Sequence, residues 1–160
     1  MIIKPPQNIA LRDSEYSIFL AGSIEQNLAI DWQKDLGEHL SGKGYTVFNP
    51  RRDDWDSTWD QKFESPQFYQ QVNWELNALD QANHIVMYFD PKTKSPISLL
   101  ELGLYANTNK LYVICPEGFW RKGNVDIVCN KYDIPLFPDI EEFKNKWENF
   151  AIKKRMWGTK

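Results

Sequence analysis

Glu101 is the single charge in the otherwise apolar run SPISLLELGLYA, Ser95 to Ala106. A carboxylate among apolar residues either satisfies nearby backbone or is held for chemistry, as a nucleophile or a proton carrier. Ser98-x-x-Glu101 matches a capping box, in which the glutamate only reaches back to the helix start. A helix opening at Ser95-Pro96, with proline at its first position, instead sets Glu101 in the second turn, partly desolvated and close to a pocket. On the helical repeat it shares a stripe with Ile97 and Leu104. Glu75, in NWELNALDQ, follows Phe68 by seven residues and Val72 by three, on or beside the buried face of its own helix. It is a second carboxyl group able to give or take a proton, or an edge residue that reaches solvent.

Three polar stretches add binding chemistry. NPRRDDWD, Asn49 to Asp56, gathers two guanidinium groups, three carboxylates and an indole. Trp55 could stack on a base, Asp53, Asp54 or Asp56 could bond its edge, and Arg51 or Arg52 could bind phosphate or orient a carboxylate. The competing account is a solvated loop held by its own ion pairs. In AGSIE, Gly22 permits close backbone approach and Ser23 can donate to a sugar hydroxyl or phosphate, although glycine after a strand is commonly turn chemistry alone. DPKTKSPIS, Asp90 to Ser98, supplies Asp90 and Ser95. His39 and His84 stand far apart, and Cys115 and Cys129 lack CxxC spacing, so no metal is expected. The dinucleotide fingerprint and the Walker lysine are also missing, and no cofactor is expected.

The elements that must position these groups follow from hydrophobic spacing. Tyr16 to Ala21, Tyr45 to Phe48, His84 to Phe89, Leu111 to Cys115 and Ile134 to Phe137 read as strands. Asn27 to Leu40, Pro66 to Ala82, Pro96 to Asn107 and Asp139 to about Lys154 read as helices, the last capped by Asp139 and followed by a loose MWGTK end. The polar stretch Arg51 to Ser65 reads as a long surface loop. This alternation predicts an α/β fold, a flavodoxin-like doubly wound parallel sheet of five strands in the order 2-1-3-4-5. Ligands of such sheets bind beyond the carboxyl ends of the strands, where the stretches named above fall.

With 160 residues the chain is expected to form one domain, its core spanning about 16–154. The 42% hydrophobic and 26% charged fractions suit a globular protein, and a net charge of −3 gives no general attraction to nucleic acid polymers or anionic membranes. No secretory signal or membrane-spanning run is evident, so a cytoplasmic protein is expected.

In matching order and spacing, FLAGSI (Phe19 to Ile24), FNPRRDDWD (Phe48 to Asp56), WELNALDQANHIV (Trp74 to Val86) and LLELGLYA (Leu99 to Ala106) resemble the nucleoside 2-deoxyribosyltransferase family. The resemblance implies that Glu101, the glutamate of the ELG motif, is the nucleophile and that Glu75 stands where an acidic residue contacts the base. Ser95 occupies the place, six residues before the nucleophile, where the family pattern carries Asp. Implied partners are a small nucleoside or nucleotide, a free base, and further copies of the chain as a homo-oligomer. The expected activity is cleavage of the N-glycosidic bond of a 2′-deoxynucleoside or nucleotide through a covalent glutamyl intermediate, with base exchange. The alternatives are a nucleoside 5′-monophosphate N-glycosidase and a catalytically silent nucleotide-binding or sensing module. Flavin binding is a weaker idea, since the Ser/Thr-rich phosphate loop after the first strand is missing.

Overall fold

Short β-branched and aromatic runs make the strands, and each ends at a Gly or within three residues of a following Pro. The computed structural model describes residues 1–11, 15–24 and 31–157, with side chains as far as residue 150. Its strands are β1 (Ile2–Ile3), β2 (Ser17–Gly22), β3 (Thr46–Phe48), β4 (His84–Tyr88), β5 (Leu111–Ile114) and β6 (Leu136–Phe137). The helices are α1 (Trp32–Gly42), α2 (Pro66–Gln81), α3 (Pro96–Tyr105), α4 (Lys122–Lys131) and α5 (Ile140–Trp157). One parallel sheet runs in the order β1-β3-β2-β4-β5-β6, consistent with a flavodoxin-like fold.

The last five strands reproduce the expected order, and β1 is an addition at the edge. Its two residues pair Ile2 with Val47 and Ile3 with Phe48, and the Asn49 N–H donates to the Ile3 carbonyl at 2.9 Å. A two-residue strand is too short for an alternation to show in sequence. Helix α4 was also not anticipated. KGNVDIVCNK mixes Gly, Asn and β-branched Val, all weak helix formers, and it is held instead by burial of Val125 and Cys129. In α5, Asp139 caps as expected by accepting from the Glu142 N–H at 2.7 Å, but the helix runs on to Trp157, so Met156 and Trp157 are not a loose end. The start of the expected Asn27 to Leu40 helix lies outside the described residues; α1 is seen from Trp32.

Two compact units divide the chain: Met1–Ala21 with Asp31–Ile85, and Gly22–Ile30 with Val86–Lys160. In the first, α1 lays Leu36, Gly37 and Leu40 on the sheet, where Gly37 approaches Leu20 and Ile2. Trp74 of α2 meets Phe48 edge to face at 6.5 Å and donates its indole N–H to the Gln7 carbonyl at 2.7 Å. The second unit has an aromatic core of Tyr112, Phe137, Phe143 and Trp147, with ring centroids 4.9–5.3 Å apart. Such pairs add specific geometry to area burial. No helix among the described residues is long and apolar enough to cross a membrane.

Candidate active site

Glu101 owes its position to the way α3 begins. Ser95 is the N-cap residue in the left-handed region, φ 47°, and Pro96 takes the first helical position. Proline suits that place because it has no N–H to leave unsatisfied. Ser98 therefore lies inside the helix and is not its cap, and the capping-box account of Glu101 is overturned. Glu101 falls in the second turn and is 9% exposed. The expected stripe is corrected too: Glu101 is buried with Ser98, Leu102 and Tyr105, whereas Ile97, Leu100 and Leu104 face outward, each more than half exposed.

Ahead of α3, four candidates from separate stretches of the chain meet. Gly22 has φ 132°, and its neighbour Ser23 sends its N–H to the Tyr88 carbonyl at 3.0 Å. The Ser23 Oγ accepts from the Asp90 N–H at 2.9 Å and lies 2.5 Å from the Ser95 Oγ. Thr93 closes the cluster, its Oγ1 lying 2.8 Å from Ser23 Oγ, 2.7 Å from Ser95 Oγ and 3.0 Å from the Asp90 carbonyl. All four residues of this cluster, Ser23, Asp90, Thr93 and Ser95, are buried. A hydroxyl carries one proton and two lone pairs, so three of them in mutual contact form a chain whose proton order can reverse. Thr93 was missed in the sequence, where nothing marks it off from other loop threonines.

The loop after β5 braces the same segment. Phe119 packs its ring 4.9 Å from that of Phe89, and Trp120 donates its indole N–H to the Lys94 carbonyl at 3.0 Å, one residue before Ser95. Arg121 lies over the Trp120 ring at 4.3 Å. The left-handed turn at Ser95 is thus tied to this loop through the residue before it.

In the other unit the Asn49 to Asp56 loop pairs its charges. Asn49 caps the turn by accepting from the Arg51 N–H at 2.9 Å. Arg51 faces Asp31 at 3.4 Å and Asp53 pairs with Lys4. With Pro5 and Pro6 these residues border a cavity of about 520 Å³. Arg52 holds Asp54, which borders the same cavity, through two nitrogens, reaches Gln70 Oε1 at 3.0 Å and stacks over Trp59 at 5.1 Å. Trp55 sets its ring edge-on to Trp59 at 5.2 Å. Hydrogen bonds from Arg52 draw the Asp54 carboxyl below its usual range, and those from Thr58 do the same for Asp56. The ion pairs expected of a self-held loop are present, alongside a half-buried indole.

Helix α2 buries Gln71, Trp74, Ala78 and Leu79, a face turned somewhat from the expected Phe68, Val72, Leu76 and Leu79. Glu75 is half-buried beside it and accepts from Gln71 Nε2 at 2.7 Å. Burial lifts its carboxyl from 4.5 to about 6, and the Gln71 bond only partly offsets the rise. A carboxyl whose folded pKa exceeds its unfolded one is harmless to stability below about 4.5 and weakens the fold as pH climbs through 6. Glu75→Gln removes that penalty. It is expected to melt above wild type at pH 7–8, by about 1 kcal/mol or 2–4 °C, with the gap vanishing below pH 4.5. Calorimetry across that range checks it, and parallel melting curves at all pH values would show a carboxylate in free contact with water.

The family model for proteins described as nucleoside 2-deoxyribosyltransferase like matches residues 15–119, about two thirds of the chain. The match contains every candidate residue above and stops one residue before Trp120. No curated protein matches the chain.

Proposed function

The chain belongs to the nucleoside 2-deoxyribosyltransferase-like family, and from that premise we propose that it cleaves the N-glycosidic bond of a 2′-deoxynucleoside or nucleotide with Glu101 as nucleophile. The observation that supports this most is the setting of Glu101: a buried carboxylate in the second turn of a helix that starts directly after a buried hydroxyl cluster. Its oxygen attacks C1′, the C1′–N bond breaks, and the bonding pair leaves with the base, which takes a proton from an acid. Glu75 suits that role, since a carboxyl lifted to about 6 keeps a useful protonated fraction near neutral pH. The ester so formed is a deoxyribosyl-enzyme. A second base attacking C1′ releases a new nucleoside and frees the carboxylate, as in retaining glycoside chemistry.

A second reading, hydrolysis of a nucleoside 5′-monophosphate, draws support from Ser23, Thr93 and Ser95. Ser95 puts a neutral hydroxyl where the family pattern carries a carboxylate, and hydroxyls donate to phosphate oxygens. A silent sensing module remains the alternative from another class. The reading carries with it a single-domain cytoplasmic enzyme of nucleotide salvage that works as a homo-oligomer; the row Ile97, Leu100 and Leu104 is the surface that favours self-association.

The test is incubation of the purified chain with 2′-deoxynucleosides and their 5′-monophosphates, with and without a second free base, followed by chromatography. Base exchange is expected. Release of base to water alone assigns the hydrolase, and tight binding with no reaction on any substrate rejects catalysis in favour of sensing.

A further inference from the structure

Ser95 is a serine at a helix N-cap that does not cap. Its side chain makes no bond to the N–H groups of the first turn of α3, and its backbone lies in the left-handed region at φ 47°, ψ 52°. Both cost stability, the first by forgoing a favourable cap and the second by bringing Cβ close to the next carbonyl. Such a backbone persists only where its surroundings hold it. What holds it is the hydroxyl, which turns back into the cluster: Ser23 Oγ lies 2.5 Å away and Thr93 Oγ1 2.7 Å. Thr93 is itself anchored twice. Its N–H and its Oγ1 both reach the Asp90 carbonyl at 3.0 Å, Asp90 Oδ1 accepts from the Lys92 N–H at 2.8 Å, and Thr93 is 3% exposed. One side chain thus connects the turn after β4 with the residue whose carbonyl opens α3 by accepting from the Leu99 N–H at 3.0 Å. All of these residues belong to the compact unit of Gly22–Ile30 and Val86–Lys160.

We infer that Thr93 is a positioning residue: its hydroxyl fixes Ser95 in the left-handed turn, and through that turn sets the direction in which α3 leaves the sheet and presents Glu101. The inference rests on the function proposed above, in which the Glu101 oxygen attacks C1′. Thr93 acts through Ser95 and touches no substrate itself. A helix that starts from a different backbone angle carries every later side chain with it, and Glu101 follows Ser95 by six residues. Without the Thr93 hydroxyl, Ser95 keeps its strained backbone and has Ser23 as its remaining partner in the cluster. Burial of Ser98, Leu102 and Tyr105 keeps α3 folded, so what is lost is its angle and not the helix.

The experiment compares wild type with Thr93→Val, which keeps the β-branched shape without the hydroxyl, and Thr93→Ser, which keeps the hydroxyl without the methyl, in the full chain. Steady-state kinetics use the nucleoside or nucleotide that wild type cleaves fastest in the incubation above. Thr93→Val is expected to lose about 10- to 100-fold in kcat with KM within about threefold of wild type, and Thr93→Ser to keep kcat within about threefold. Amide hydrogen exchange adds a measure independent of turnover. The Leu99 N–H should exchange at least about 10-fold faster in Thr93→Val and at the wild-type rate in Thr93→Ser. Wild-type kcat in Thr93→Val overturns the inference, as does an equal loss of kcat in both variants. A lower melting temperature with unchanged kcat also overturns it, because a merely structural residue gives that result. Should Thr93→Val fail to fold, Thr93→Ala takes its place. If wild type cleaves no nucleoside, the nucleophile role of Glu101 fails, and exchange at Leu99 decides alone whether Thr93 sets the start of α3. Unchanged exchange there overturns the inference in either case.

Discussion

Glu101→Gln is expected to lose turnover by at least about 10³-fold, because the carboxamide retains size and polarity and has no anionic oxygen to attack C1′. The fold should survive. Glu101 is 9% exposed on a helix otherwise buried through Ser98, Leu102 and Tyr105, and the carboxamide has the same shape and volume as the carboxyl group it replaces. The measurement is single-turnover cleavage of the best substrate found by incubation, together with intact-protein mass spectrometry after acid quench. Wild type should show a deoxyribosyl adduct that the variant lacks. Near-normal turnover in the variant would reject Glu101 as nucleophile. Loss of turnover together with a collapsed melting transition would reject the premise that the carboxyl group is dispensable to the fold.

The largest stability effect is expected at Gly22. A Cβ built there lies 2.2 Å from the Tyr88 carbonyl oxygen and 2.8 Å from the Tyr88 nitrogen, both backbone atoms that cannot swing aside. The φ of 132° is in addition a conformation that side-chain-bearing residues seldom adopt. Gly22→Ala should therefore lose about 3 kcal/mol or more, a fall of roughly 6–12 °C in Tm for a chain of this size. The damage would also reach the hydroxyl cluster, since Ser23 is anchored to the same Tyr88 carbonyl. Gly37→Ala is the control. Its added methyl meets Leu20, Ile2 and Val47 side chains at 3.5–3.8 Å, ordinary contact within a helix where alanine is the better residue. Equal melting temperatures for Gly22→Ala and wild type would show that β2 and β4 do not approach as closely as described.

The order of the sheet was readable because each of its main strands is a run of buried residues stopped by an unmistakable breaker, such as Gly22 or Asn49-Pro50. Helix α4 and strand β1 were not, since neither has a local signal; one is held by tertiary burial and the other by register with β3. At the site, residue type pointed to Glu101 and Glu75, but only coordinates decide which way each faces. Periodicity placed Glu101 with Ile97 and Leu104, because a row of apolar residues reads as the buried side, and here that row is outside. Thr93 carried no mark at all. Its meaning lies in what its hydroxyl touches, and that depends on a partner distant in sequence, Ser23.

The outward row on α3 gives the Glu101 carboxylate a lever. Ile97, Leu100 and Leu104 lie on the flank of α3 next to Glu101, within about 100° of it around the axis, so a body pressing on the row turns the carboxylate about the helix axis. At about 6 Å from that axis, a roll of about 10° displaces the carboxylate oxygens by about 1 Å. A misalignment of that size can change a reaction rate by about 100-fold. A surface that comes to rest on Ile97, Leu100 and Leu104 would therefore act on the orientation of Glu101.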